Sequence, residues 1–185
     1  MTTKIPNESI TIRAYRGDVD FAGLVAFLAF QYEHERDMQS ADSRPHGGKV
    51  APAYATDLLN MVEGRSGCLL IADIGNNPVG FVGAYMMTDP DPALKDTARV
   101  HGYIRDLFVL PNWRRMGVAK KLIDAVESHF RKNGLKHLRI AGPAQNSSMA
   151  NLCKGEKFAP YAIVYDREIK QPGFHMVDGQ YVKGV

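Results

Sequence analysis

Arg114-Arg115-Met116-Gly117-Val118-Ala119 is a short basic turn with one glycine, set between an apolar run and an amphipathic segment. Upstream, Ile104 to Leu110 mixes β-branched, aromatic and leucine residues, the composition of a mostly buried strand. Pro111-Asn112 ends that strand, because proline has no N–H to give to a ladder. Downstream, Val118, Leu122, Ile123, Val126 and Phe130 recur at helical steps, with Lys120, Lys121, Asp124, Glu127 and Arg131 on the other face and Asn133-Gly134 as a stop. The turn therefore opens a helix. The first four N–H groups of a helix lack partners within it and carry the positive end of its dipole, so they can hold a diphosphate where no side chain intervenes. Gly117 leaves that approach open, small Ala119 lets helix and ligand come close, and Arg114 and Arg115 add charge. The same residues also suit a solvated basic turn in any α/β protein, and local chemistry leaves the two readings level.

Outward from the turn the chain reads as one α+β unit without repeats. Ser9 to Ala14 alternates as a strand, and Asp18 to about Asp37 reads as a helix with Asp18 at its cap and Phe21, Leu24, Val25, Leu28 and Tyr32 on its apolar side. Ser40 to Val50 is a polar loop, Ala53 to Val62 a second helix ended by Gly64. Cys68 to Ile74 and Val79 to Met87 form a hairpin around Gly75-Asn76-Asn77-Pro78. A polar stretch from Thr88 to Thr97 leads into the strand before the turn. After the amphipathic helix come a strand at about His137 to Ala141, a short helix from about Ser147 to Glu156 and a strand at about Tyr161 to Ile169. Residues 171–185 have no clear period and read as a C-terminal tail or an arm onto a partner subunit.

Composition bounds the alternatives. With 185 residues, 45% hydrophobic and 23% charged, residues 1–185 suit a single globular domain and exclude disordered and fibrous classes. The longest apolar run, Phe21 to Phe30, is too short to cross a bilayer, and Met1 to Ile10 lacks the pattern of a secretory signal, so the expectation is a soluble cytoplasmic protein with no membrane partner. Two cysteines, Cys68 and Cys153, suggest neither a disulfide framework nor a Cys-x-x-Cys site, and six histidines show no ligand spacing, so no metal is expected. Between Arg99 and Arg139 basic residues far outnumber Asp106, Asp124 and Glu127. That field would draw a phosphate-bearing cofactor or a nucleic acid, and the absence of aromatic-basic interleaving ranks the cofactor first, with no nucleic acid expected. ATP, dinucleotide and serine-hydrolase motifs are missing.

Arg-x-x-Gly-x-Ala after Asp106-Leu107-Phe108-Val109-Leu110-Pro111 resembles the acyl-CoA signature of the GNAT superfamily of N-acetyltransferases, and the likeness extends from about Ser9 to Ile169. The resemblance implies a GNAT-like acyl-CoA N-acyltransferase fold, a mixed twisted sheet with helices on both faces. It implies acetyl-CoA as co-substrate, pairing of its pantetheine with the backbone of Leu107, Phe108 and Val109, and a pyrophosphate cradle from Arg114, Arg115, Met116, Gly117, Val118, Ala119 and Lys120. Asn146 matches the asparagine that contacts pantetheine in the family, and also reads as a helix cap.

The activity implied is transfer of an acetyl group to a primary amine by direct attack, which needs a proton acceptor for the amine and a donor for the thiolate. Where the family has a tyrosine as that donor, this chain has Cys153, a shorter side chain that reads equally as a small buried residue. The family's glutamate on the strand before the signature maps by alternation to Arg105, Tyr103 or His101, none a carboxylate. His101 has a suitable intrinsic pKa and Tyr103 can orient a water, whereas Asp106 faces away unless a bulge intervenes. Glu33 or Glu35 from the first helix, and a water relay without a base, stand beside them. Glu33, Glu35, Asp37 and Asp42 form an acidic rim that favours a cationic amine, whether a small molecule or a peptide. Family habit implies a homodimer. The departures at Arg105 and Cys153 keep open a non-catalytic acyl-CoA binding or regulatory module, and the signature does not fix acyl length.

Overall fold

The computed structural model describes residues 9–36, 38 and 46–167, together with the backbone of Phe174–Val177 and Gln180–Lys183. In chain order the elements are β1 (Ile10–Ala14), α1 (Gly17–Arg36), α2 (Gly47–Gly64), β2 (Cys68–Ile74), β3 (Asn77–Thr88), the single turn α3 (Asp96–Arg99), β4 (Val100–Val109), α4 (Val118–Lys132), β5 (Leu138–Ile140), α5 (Ser147–Gly155), β6 (Phe174–Val177) and β7 (Gln180–Lys183). The main sheet has the order β1-β2-β3-β4-β5, antiparallel except for the parallel β4–β5 pair, and β6 pairs with β7 in a separate hairpin.

Alternation along the strands sends side chains to two cores. On one face Ala72, Ile74, Val82, Ala84 and Ile104 meet Val118, Leu122, Ile123, Val126 and Phe130, the stripe read from the helical spacing. Gly102 permits this contact, since a Cβ there would lie 2.4 Å from the Phe130 ring. On the other face Leu69, Ile71, Phe81 and Phe108 pack under Leu24, Phe27 and Leu28 of α1 and Ala51, Ala55 and Leu58 of α2. The layering is the mixed, helix-flanked sheet expected.

Some boundaries differ. Asp18 falls inside the first turn of α1, and Asp20 instead accepts from the Arg16 N–H at 2.7 Å. Residues 47–50, read as loop, begin α2: the Gly47 N–H donates to Glu33 at 2.7 Å, a cap from another helix that local sequence does not reveal. Residues 40–45, with Asp37 and Asp42, lie outside the described residues. The hairpin turn is tighter than four residues, with Ile74 already opposite Asn77 and Gly75 at φ +53°. Residues 161–167 form no strand, because no described strand lies beside them to complete a ladder.

One ion-pair network ties the sheet edge to α1. Arg13 spans Asp20, at 2.6 and 3.0 Å, and Asp73, at 2.5 Å, while the Asp20 side chain is 6% exposed. Arg13 and the Arg16 amide hold the Asp20 carboxyl below the usual carboxylate range. A depressed carboxyl contributes stability above its unfolded pKa of about 3.9 and loses it as pH falls further. Asp20→Asn is therefore expected to cost about 2–3 kcal/mol at neutral pH, less than a fully buried pair because Arg13 stays partly solvated. In urea melts the gap between the two proteins should shrink below about pH 4.

Candidate active site

β4 is paired along its whole length with β3 but only from Gly102 to Ile104 with β5. From Arg105 to Val109 it has no strand on that side among the described residues. The Leu110 N–H turns back to Val79 at 2.9 Å, so by alternation the main-chain groups of Leu107 and Val109 turn to the open side. This is an edge that an extended ligand can join as a strand. The Val109 carbonyl there accepts a hydrogen bond from Arg114 Nε at 3.0 Å.

The open edge runs into the basic turn. Pro111–Trp113 form one 3₁₀ turn, Arg115 and Gly117 adopt left-handed conformations at φ +62° and +84°, and α4 starts at Val118. The first helical bond is Lys121 N–H to Gly117 carbonyl at 3.0 Å, so the Val118, Ala119 and Lys120 N–H groups have none within the helix. A Cβ on Gly117 would meet nothing within 4 Å, leaving the space before these donors clear. Arg114 and Arg115 are exposed, Met116 is half-buried, and Lys120 pairs with Asp124 and with Glu156 at the end of α5, both at 3.1 Å. The turn and edge thus form one continuous surface suited to a diphosphate followed by an extended arm. Asn146 caps α5, its side-chain oxygen accepting from the Met149 N–H at 3.0 Å.

On the helix-α1 side of the same strand lies a cleft of about 620 Å³. Its geometry follows from one irregularity: the β3–β4 register shifts at Gly83–Ala84, which face Asp106 and Ile104, leaving Arg105 as the extra residue of a β-bulge. The bulge turns Arg105 and Asp106, neighbours in sequence, into one cleft with Tyr103. Asp106 is 4% exposed. Its carboxylate accepts from Tyr54 Oη at 3.2 Å and from Gln31 Nε2 at 3.2 Å, and Gln31 also donates to Glu35 at 3.1 Å. Arg105 Nε in turn donates to Tyr54 Oη at 2.6 Å, and its guanidinium meets Asp57 at 2.9 Å. Burial pushes the Asp106 carboxyl up to about 6, against the opposing pull of Arg105 and the Tyr54 hydrogen bond. Burial and the charge of Asp106 raise Tyr54 to about 12. A buried carboxyl, held by a half-buried phenol and amide and poised near neutrality, can take a proton from a ligand in the cleft.

The other candidates are scattered around this cluster. Tyr103 lines the cleft, and burial raises the pKa of its phenol. His101 is buried outside the lining, bonded through Nδ1 to the Arg99 carbonyl at 3.0 Å, and burial lowers its pKa. Cys153 sits in α5, half-buried, with its thiol pushed up by burial. Glu33 is taken up at the start of α2, whereas Glu35 lines the cleft. Sequence alone assigns Gln31 and Tyr54 no role, and it turns Asp106 away only in the absence of a bulge, which the register shift here supplies. Gly83 lies opposite the bulge, but Gly80 and Gly102 are also inside these strands and each of the three meets a close neighbour, so a glycine alone does not single the bulge out.

Comparison with known proteins gives the chain a family and a fold. Residues 24–154 match the acetyltransferase (GNAT) family, well over half of the chain. Curated protein sequences contain no match. Among solved structures, the aminoglycoside N-acetyltransferase AAC(6')-Iy in complex with CoA superposes with a TM-score of 0.67 at 17% identity, covering 89% of this chain and 98% of its own. A predicted acetyltransferase from Clostridium acetobutylicum, solved with acetyl-CoA, gives 0.66 at 14% identity over 86% and 96% of the two chains. A Bacillus halodurans protein gives 0.74 at 14% identity over 86% and 99%. At these identities the structures share the fold, while the family match covers the strand, the basic turn and the cleft together. The chain belongs to the GNAT family of acetyltransferases.

Proposed function

We propose that the protein is an N-acetyltransferase that moves the acetyl group of acetyl-CoA to a primary amine, with Asp106 as the proton acceptor. The observation that carries this reading is the bulge, which sets a buried carboxyl beside the unpaired stretch of β4. Leu107, Phe108 and Val109 offer the pantetheine-binding edge, and the turn from Arg114 to Lys120 the phosphate cradle, with Gly117 leaving room. Asn146, already committed to its cap through Oδ1, retains its amide N–H groups for the arm.

Acetyl-CoA supplies an activated acyl group. Asp106 accepts the proton shed as the amine nitrogen bonds to the acyl carbon and the carbon–sulfur bond breaks. Tyr54 and Gln31 hold the carboxylate in place, and Arg105 fixes Tyr54. The departing thiolate takes its one proton from Tyr103, which lines the cleft, with Cys153 of α5 as the alternative donor. We place the activity in the cytoplasm, in keeping with two free cysteines. No helix among the described residues is long and apolar enough to cross a membrane. We also assign a homodimer: Ile163, Val164 and Tyr165 are 71%, 92% and 88% exposed in a row, and burying such a run against a second copy removes the apolar surface from water.

Thiol release with an amine panel tests the reaction. Asp106→Asn should lower kcat by about 10²- to 10⁴-fold and leave acetyl-CoA affinity unchanged. In the wild type, log kcat/KM should rise with a slope of about 2 below pH 6, where both the amine and Asp106 lose protons, and about 1 above it; the variant should show a slope of about 1 throughout. Gly117→Glu places a carboxylate in the cradle and should abolish acetyl-CoA binding in calorimetry while the circular dichroism spectrum is preserved. In light scattering the wild type should have twice the chain mass, and Val164→Asp the mass of one chain.

A further inference from the structure

The two charged residues that the bulge turns into the cleft differ in sign and in surroundings. On the α1 side Asp106 accepts from Gln31, which also donates to Glu35, so this wall presents carboxyl groups. On the α2 side Arg105 lies with its guanidinium 4.3 Å from the centre of the Tyr54 ring, held in plane by that contact. Its Nε is used by Tyr54 at 2.6 Å and its Nη1 by Asp57 at 2.9 Å, while Asp106 stands 4.0 Å from Nε, beyond hydrogen-bond reach. Nη2 has no partner among the described residues, and the Arg105 side chain keeps 18% of its surface exposed where it lines the cleft. Asp57 faces solvent with half of its side chain, so the ion pair anchors the outer edge of the guanidinium and leaves another edge for a ligand.

An arginine cannot relieve an unmatched position by losing its proton, and its open N–H groups favour a planar anion. An acceptor with only an amine would use the Asp106 side of the cleft and leave Arg105 Nη2 without a partner. An acceptor that also carries a carboxylate satisfies both walls. We propose that the acceptor is an amino carboxylate, its amine at Asp106 and its carboxylate at Arg105 Nη2. Arg105 is then the specificity-determining residue of the reaction proposed above, on which this inference rests.

Matched acceptors test it: leucine, leucinamide and isoamylamine, and phenylalanine, phenylalaninamide and phenethylamine, each with acetyl-CoA and the full chain, rates compared per concentration of free base. The amino acid of each set should exceed its amide and its amine by about tenfold or more in kcat/KM, the scale of one charge-assisted hydrogen bond. In Arg105→Gln that ratio should fall to about 1, and Arg105→Lys should restore part of it. The ratio is taken within each variant, so a general loss of activity from disturbing Tyr54 leaves it readable. Equal use of amides or simple amines by the wild type, or a preference that survives in Arg105→Gln, overturns the inference and leaves acetyl transfer standing. No turnover of either amino acid also overturns it, while the transfer reaction itself is judged on the wider amine panel.

Discussion

The cleft depends on one extra residue in β4. A strand presents its side chains alternately to two faces, so Ile104, Asp106 and Phe108 would share one side and Tyr103, Arg105 and Leu107 the other. Opposite Gly83 and Ala84 the ladder slips by one residue, and Arg105 and Asp106 both turn toward α1 and α2. The slip also preserves the cores on either side of it: Ile104 remains under α4, Leu107 and Val109 return to that face, and Phe108 packs with Phe27 and Phe81. Without the bulge the carboxyl would enter an apolar core, an arrangement that costs several kcal/mol and that no sequence retains lightly.

Burial of charge is tolerated because each group has neighbours suited to it. Asp106 receives two hydrogen bonds from neutral donors and lies near a guanidinium, which together offset part of its desolvation and leave its pKa near 6. Arg105 is compensated in turn by Asp57 on the outside and by the face and hydroxyl of Tyr54 within. The same helices that cover the apolar sheet supply these partners: Gln31 follows Leu28 by less than a turn on α1, and Tyr54 precedes Ala55 on α2. Packing of the core therefore positions the chemistry.

Much of the fold was legible because it rests on periodicity. The α4 stripe, the β2–β3 hairpin and the strand before the basic turn appear where the spacing placed them, since a helix or strand that buries one face must repeat its apolar residues at a fixed step. Features set by contacts between distant segments were not. The start of α2 depends on Glu33 across an interhelical gap, and residues 161–167 have strand-like composition without a strand to pair with. The cleft was legible in part. Tyr103 is placed by alternation, whereas Asp106 enters only through the bulge that alternation leaves as an open condition, and Gln31 and Tyr54 reach it through a fold that must first exist.

The most direct test of this account is a crystal structure of the protein with a CoA-linked bisubstrate analogue in which the acceptor nitrogen is fixed to the acyl chain. The account predicts the pantetheine along Leu107 to Val109 and the nitrogen within about 3.2 Å of an Asp106 oxygen, or one water away from it. A nitrogen seated against His101, or a pantetheine that does not follow the open edge of β4, would contradict it.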